Sequence, residues 1–299
     1  MMSVRESVPL FSVIVPVYNA AQWIAPCIKG LMEQTAPPDE IIFVDDASSD
    51  ETYELCSAWH HRFPSLVQVL RLSQNLGPGA ARNKGIAASK GRYVAFADVD
   101  DQLCPQMFKQ LLQRIDALQA DVAVCGITVT NKNKTKVVLP PKEEKPEALL
   151  KEKLLLYAPI NKLYKRSFLT DNGVSFTDCR MGEDVAFSVK LFSLQPIVGC
   201  VPEPHYTYVR NDSSLSTNLE LRKEIFLALD DLKSFLDCRN LSKQKATVYH
   251  KLCFLHGVYY PARLFLTALL QKNHSFSHLI SIIVGYTRAG LCFIKRNIS

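Results

Sequence analysis

Four short apolar runs, each ending in polar or acidic residues and each followed by a stretch of helical spacing, constrain this chain most. They are Phe11-Ser12-Val13-Ile14-Val15-Pro16-Val17, Glu40-Ile41-Ile42-Phe43-Val44, Val67-Gln68-Val69-Leu70-Arg71-Leu72 and Arg92-Tyr93-Val94-Ala95-Phe96-Ala97. A strand with one wet face alternates apolar and polar residues, so near-continuous runs of this kind are strands covered on both faces. Helical spacing fills the intervals: Ala21 to Gln34 (Trp23, Ile24, Cys27, Ile28, Leu31), Glu51 to Phe63 with Ser49 or Asp50 as its cap, and the small-residue stretch Gly77 to Ser89. Strand and helix in this order predict a parallel sheet with helices on both faces.

Further along, the spacing predicts a helix from Met107 to Leu118 and a strand from Asp121 to Gly126. The Lys-, Glu- and Pro-rich stretch Asn131 to Glu147 reads as an exposed loop, and Leu154 to Leu169 as helix-like. Gly182-Glu183-Asp184 opens a helix to Phe192, and His205 to Val209 alternates as a strand does.

Open parallel sheets take their ligands at the carboxyl ends of the strands. Here those ends carry Tyr18-Asn19, Asp45-Asp46, Ser73-Gln74-Asn75 and Asp98-Val99-Asp100-Asp101, so acidic groups converge on one rim. Carboxylates one residue apart, leaving a buried strand, suit a hard divalent ion that also binds phosphates. Arg82 follows Gly77-Pro78-Gly79-Ala80-Ala81, where glycine allows close backbone approach and a helix begins; that is an arrangement for a diphosphate. Its glycine spacing matches neither a P-loop nor a dinucleotide fingerprint. Glu183 and Asp184 at a helix start are stabilised by the helix dipole, whatever else they do.

The order of these motifs resembles glycosyltransferase family 2. The residues that carry the likeness are Val15-Pro16-Val17-Tyr18-Asn19, Val44-Asp45-Asp46-Ala47-Ser48-Ser49-Asp50, Asn75-Leu76-Gly77 with Ala81-Arg82-Asn83, Asp98-Val99-Asp100-Asp101 and Gly182-Glu183-Asp184. The resemblance covers about Phe11 to Ser216 and implies a GT-A fold, an α/β architecture built on a mixed, mainly parallel sheet. It implies an inverting hexosyl- or N-acetylhexosaminyltransferase that uses a nucleotide-diphosphate sugar, UDP-linked by family frequency, and Mn2+ or Mg2+. By position, Pro16, Tyr18 and Asp46 line the nucleobase and ribose, and Arg82 faces the donor phosphates. Asp98 lies nearer the ribose and sugar and Asp100 holds the metal, with Asp101 sharing either role. Asp184 matches the family's base, Glu183 stands beside it on the acceptor side, and Tyr206-x-Tyr208-x-Arg210 resembles a segment that closes over donor phosphates. His205 receives no role.

The predicted organisation is an N-terminal tail over 1–10, a glycosyltransferase domain over 11–218 with a nucleotide-binding half to 104 and an acceptor half after it, and a basic helical region over 219–299. With 47% hydrophobic and 21% charged residues in 299, the composition excludes a disordered or fibrous chain. Nine scattered cysteines have no metal or redox spacing and suit a reducing compartment. The charge is uneven. Cys238 to Ser299 contain nine Lys or Arg and no Asp or Glu, which leaves the first 237 residues at −3 out of a total of +6. The longest stretch of that region free of Lys and Arg is Asn273 to Thr287, fifteen residues against the roughly 20 that a spanning helix needs. Cations interleaved with aliphatic clusters fit helices on an anionic leaflet, or a plain helical cap, better than nucleic acid. The expectation is a cytoplasmic protein peripheral to the membrane, acting on a glycan or lipid-linked acceptor.

Two other functions compete. A nucleotidyltransferase is expected to carry a glycine-rich loop after its first strand, where this chain reads Tyr18-Asn19-Ala20-Ala21. A silent sugar-nucleotide-binding or scaffolding relative is opposed by the joint presence of Asp98, Asp100 and Asp184.

Overall fold

The computed structural model describes residues 10–131, 134–149, 158–209 and 224–239. Its strands are β1 (Phe11–Val17), β2 (Glu40–Asp45), β3 (Val67–Arg71), β4 (Tyr93–Phe96), β5 (Gln102–Leu103), β6 (Val122–Thr130), β7 (Thr135–Val138), β8 (Lys162–Lys165) and β9 (Val198–Val209). Helices α1 (Ala21–Met32), α2 (Thr52–Arg62) and α3 (Pro78–Ala88) separate the first four strands, and α4 (Met107–Leu118) precedes β6. Four more follow: α5 (Pro146–Leu149), α6 (Arg166–Asp171), α7 (Glu183–Ser193) and α8 (Ile225–Asp237).

The strands form one sheet in the order β3-β2-β1-β4-β8-β6-β9-β5, with β7 paired to β6. β1 is parallel to β2 and β4, β2 to β3, and β6 to β9. The ladders to β5, β7 and β8 are short and antiparallel. This is the mixed, mainly parallel α/β sheet of the GT-A fold. Every residue of β1 and β2 except Pro16 is buried, which is why these runs show no alternation. From β1 the chain steps outward to β2 and β3 and returns on the other side as β4, so the strand order reverses between β1 and β4. The crevice at that reversal is where such sheets take ligands.

Two segments differ from the sequence reading. Within the stretch expected to be helical, Lys162-Leu163-Tyr164-Lys165 is a strand between β4 and β6. Leu163 and Tyr164 are both fully buried, so adjacent apolar residues on opposite faces imitate helical clustering. The expected loop after Asn131 contains β7, a hairpin partner of β6. Thr135, Lys136 and Val137 are exposed on it, so no apolar alternation marks it. Boundaries shift as well: the strand expected from His205 already begins at Val198, the one expected to end at Gly126 continues to Thr130, and β5 has no counterpart in the sequence reading. The first four strands and the helices between them agree closely, and Asp50, one of the two expected caps, accepts the Thr52 N–H at 3.1 Å where α2 begins.

Aromatic packing ties the two ends of the site together from below. Phe176 and Phe187 stack with centroids 4.0 Å apart, and Phe96 meets them edge-on at 5.3 and 5.9 Å. Each such pair adds about 0.5–1.5 kcal/mol beyond its buried area. Phe96 closes β4, just before Asp98, and Phe187 lies one turn into α7, so the cluster couples the strand and the helix that carry the acids.

The tail expected over 1–10 lies almost wholly outside the described residues. Of the basic region expected over 219–299, only 224–239 is described. There α8 buries Ile225, Phe226, Ala228, Leu229, Leu232, Phe235 and Leu236, and it packs on α7. No described helix is long and apolar enough to cross a membrane.

Candidate active site

At the end of β1, Pro16 is half-buried and Tyr18 is 49% exposed on the rim. At the end of β2 the adjacent acids part company. Asp45 is fully buried, accepts the Ser48 N–H at 3.1 Å and pairs with Arg71 Nε at 3.0 Å, so it fastens β2 to β3. Asp46 accepts the backbone N–H groups of Leu76 and Gly77, one on each oxygen, both at 2.8 Å. Burial pushes the Asp46 carboxyl above its usual range, and these two hydrogen bonds pull the other way. Gly77 is required at this junction. Its φ of +92° is the left-handed region, and a Cβ would lie 2.8 Å from Arg180 Cγ.

Arg82, one turn into α3, is the hub of the other side. Its side chain is 6% exposed, reaches Asp98 Oδ1 at 2.8 Å and Glu183 Oε1 at 3.4 Å, and lies over the Phe176 ring at 5.4 Å. One guanidinium therefore joins the end of β4 to the start of α7. Burial opposes its charge, but Asp98 and Glu183 outweigh that and raise its pKa. Glu183 is 7% exposed, and its carboxyl is pushed up to about 7, by burial first and by neighbouring Asp184 second. Asp184 is also raised, chiefly by burial; the Val185 N–H that it accepts at 2.7 Å works against the shift. A carboxyl raised from the ordinary range is better matched to proton abstraction near neutrality.

The loop after β4 is shaped by a contact that no local pattern announces. Tyr206 of β9, fully buried, donates its hydroxyl to Asp101 Oδ2 at 2.8 Å and accepts the Asp98 N–H at 3.1 Å. Asp101 also accepts the Val209 N–H at 3.0 Å. The alternation of His205 to Val209 marked the strand, but the pairing spans more than a hundred residues. Asp98, Asp100 and Asp101 all remain partly exposed on this loop. His205 is 9% exposed and its Nε2 makes no hydrogen bond among the described residues. Arg210 and the rest of the segment to Ser216 lie outside the described residues.

The structure thus brings Arg82, Asp98, Glu183 and Asp184 together, with Asp100 and Asp101 on the adjoining turn, while Pro16, Tyr18 and Asp46 lie at the ends of β1 and β2. Among the described residues no three His, Cys, Asp or Glu side chains gather closely enough to hold an ion unaided. A few loop carboxylates, with phosphate and water oxygens completing the shell, are a normal donor set for Mg2+ or Mn2+, and the residues present fit it.

The family model for "Glycosyl transferase family 2" matches residues 12–179, more than half of the chain. The chain belongs to that family. Among curated relatives, "Uncharacterized glycosyltransferase EpsJ" of Bacillus subtilis is 30% identical over 70% of this chain and 63% of its own length. "Poly(ribitol-phosphate) beta-glucosyltransferase" of Bacillus spizizenii is 26% identical over 78% of this chain and 38% of its own. The chain thus spans less than two thirds of either relative. Among solved structures, Staphylococcus aureus TarS residues 1–349 in complex with UDP-GlcNAc superposes with a TM-score of 0.65 at 24% identity, covering 94% of this chain and 81% of that one. The mannosyltransferase PcManGT from Pyrobaculum calidifontis, in complex with GDP-Man and Mn2+, gives 0.60 at 16% identity over 96% and 85%. These two superpositions show that the fold is shared. The family 2 match ends just short of Glu183 and Asp184, so the second half of the rim is read from geometry.

Proposed function

We propose that this family 2 protein is an inverting, metal-dependent glycosyltransferase that moves a hexosyl or N-acetylhexosaminyl group from a UDP-sugar to a hydroxyl of a glycan or lipid-linked acceptor in bacterial surface polysaccharide synthesis. The observation that carries the reading is the shared guanidinium: Arg82 draws Asp98 and Glu183 into one cluster at the strand-order reversal, with Asp184 beside it. A merely structural helix start has no need of a buried cation pairing it to the acidic loop of a different strand.

In this reading Asp184 takes the proton of the acceptor hydroxyl. The oxygen attacks C1 of the donor sugar from the face opposite the diphosphate, the bond from C1 to the phosphate oxygen breaks through an oxocarbenium-like state, and the electron pair leaves with the diphosphate. Glu183 borders the acceptor. Arg82 holds Asp98 toward the ribose and sugar and places positive charge near the donor phosphates. Pro16, Tyr18 and Asp46 form the nucleoside end, where Asp46 has no freedom to swing away. A divalent ion, Mn2+ or Mg2+, held by Asp100 would neutralise charge developing on the leaving diphosphate. Both oxygens of Asp101 accept hydrogen bonds from β9.

The relatives support the substrate class. TarS is crystallised with UDP-GlcNAc, PcManGT with GDP-Man and Mn2+, and two relatives are named for transfer to poly(ribitol-phosphate). The cation-rich region from 238 onward supports a cytoplasmic protein peripheral to an anionic leaflet, and sedimentation with anionic liposomes tests it.

The donor site is tested by thermal shift with UDP, GDP, dTDP and CMP, with and without Mn2+, on wild type and Asp100→Asn. A nucleotide at about 100 times its dissociation constant adds about 2.7 kcal/mol. The expected result is a metal-dependent shift with UDP that Asp100→Asn loses; no shift with any nucleotide would remove the donor site.

A further inference from the structure

α8 lies beyond the residues matched by the family model, yet it grips the segment that delivers the proposed base. Asp231 Oδ2 accepts from both the Thr177 hydroxyl and the Lys190 ammonium. Lys190 belongs to α7, has a side chain only 2% exposed, and also donates to the Ser175 carbonyl at 3.1 Å. Just before α8, Glu224 accepts the Arg180 backbone N–H at 2.6 Å and its guanidinium at 2.8 and 3.1 Å. Just after it, Arg239 donates to the Asn172 carbonyl at 2.7 Å. The loop from 172 to 182 is therefore held by α8 at its start, middle and end.

The same loop faces the donor half on its other side. Asn83 of α3 exchanges two hydrogen bonds with the Phe176 backbone, both at 2.9 Å. It then enters α7 through Gly182, whose φ of +91° only glycine adopts easily, and a Cβ there would fall 2.1 Å from Ile225 Cδ1. Such a joint can re-aim the next two residues, Glu183 and Asp184, unless something fixes both sides of it. Thr177 lies before the joint and Lys190 after it, and both end on one carboxylate oxygen of α8.

We infer that Asp231 is a positioning residue for Asp184: it clamps the two sides of the Gly182 joint and so sets the direction from which the base meets the acceptor hydroxyl. The inference rests on the proposed role of Asp184. It makes α8 a working part of the transferase unit, so that a chain ended at 218 would lack its clamp.

The test uses the full chain, with UDP-GlcNAc, UDP-glucose and GDP-mannose plus Mn2+ as probes. It reads nucleoside diphosphate release by donor hydrolysis, in which water stands in for the acceptor hydroxyl that Asp184 deprotonates and takes the sugar, together with UDP and GDP affinity by calorimetry and amide hydrogen exchange. For Asp231→Ala, release falls about tenfold or more, as misplacement of a reacting group by a fraction of an ångström allows, while nucleotide affinity stays within about twofold. Exchange quickens about tenfold over 176–190 and not over β1 to β3. Thr177→Val, which removes one hydroxyl at nearly constant volume, shows the same pattern with a loss of about threefold, and decides the matter if Asp231→Ala does not fold. Release at the wild-type rate in these variants overturns the inference. So does a fall in release matched by an equal fall in nucleotide affinity with exchange quickened throughout, which marks general loosening. Asp184→Asn separates the failures: wild-type release there removes the base and the positioning role together, whereas a dead Asp184→Asn beside an active Asp231→Ala removes the positioning role alone.

Discussion

On the β2 side of the rim, Asp46 is gripped by two backbone amides, whereas on the β4 side Asp98 and Glu183 depend on a single side-chain cation, Arg82. Backbone donors cannot rotate away and no substitution except proline removes them, so the nucleoside end is set by the course of the chain. The end where bonds are to be made and broken is set by charge balance, and one substitution can upset it. Arg82→Met is accordingly the most damaging change expected. It strands Glu183 in a site only 7% exposed and frees Asp98, whose side chain is 30% exposed. Breaking a buried pair from one side costs about 3–5 kcal/mol, and the exposure of Asp98 points to the lower end, about 3 kcal/mol. Arg82 holds the Glu183 carboxyl down, so its loss lets Glu183 rise further and take up a proton, which also points to the lower end of that range. Urea denaturation measures the loss; one under about 1 kcal/mol would break the contrast.

Asp46→Asn is the matching probe of the rigid side. Asparagine offers one oxygen where two N–H groups now have one each, so one of Leu76 N–H and Gly77 N–H is left facing a donor. An unsatisfied buried donor costs about 1–3 kcal/mol. The damage is expected to stay local: UDP affinity falls in calorimetry, while exchange over α7 remains as in wild type. Loosened exchange at Glu183 and Asp184 in this variant would show that the two sides are one cooperative unit.

The same contrast governs what the sequence could reveal. β1 to β4 and their acidic ends are legible because burial on both faces writes itself as continuous apolar runs, and because the chain order fixes which strand ends share a rim. β8 is illegible because four residues carry too little pattern, with Lys162 buried where a charge suggests solvent. β7 is illegible because its outer face is polar and wet. At the site, Asp98, Asp100 and Glu183-Asp184 are recognisable as motifs. What holds them is not: Arg82 meets Glu183 across 101 positions, and Tyr206 meets Asp101 across 105. Arg82 reads from sequence as a residue facing donor phosphates; its ion pairs to Asp98 and Glu183 over the Phe176 ring have no local signal.

The smallest expected effect concerns pH. Glu183 is held up to about 7 in the folded chain, against an ordinary 4.5, by burial and by Asp184, with Arg82 opposing. Between those values the folded state binds the proton that the unfolded state has released. The contribution to stability is therefore fully present below about 4.5 and is lost as pH rises through about 7. Raising the pH of the ligand-free protein from about 5 to about 8 is expected to lower its stability, with Glu183 supplying on the order of 1 kcal/mol of the fall. Asp184 and Asp46, whose carboxyls are also raised, push in the same direction. Glu183→Gln should flatten the slope in urea titrations without abolishing it. If the slope is untouched, Arg82 keeps Glu183 ionised throughout, and the charge balance of the reactive side is as rigid as the backbone grip on Asp46.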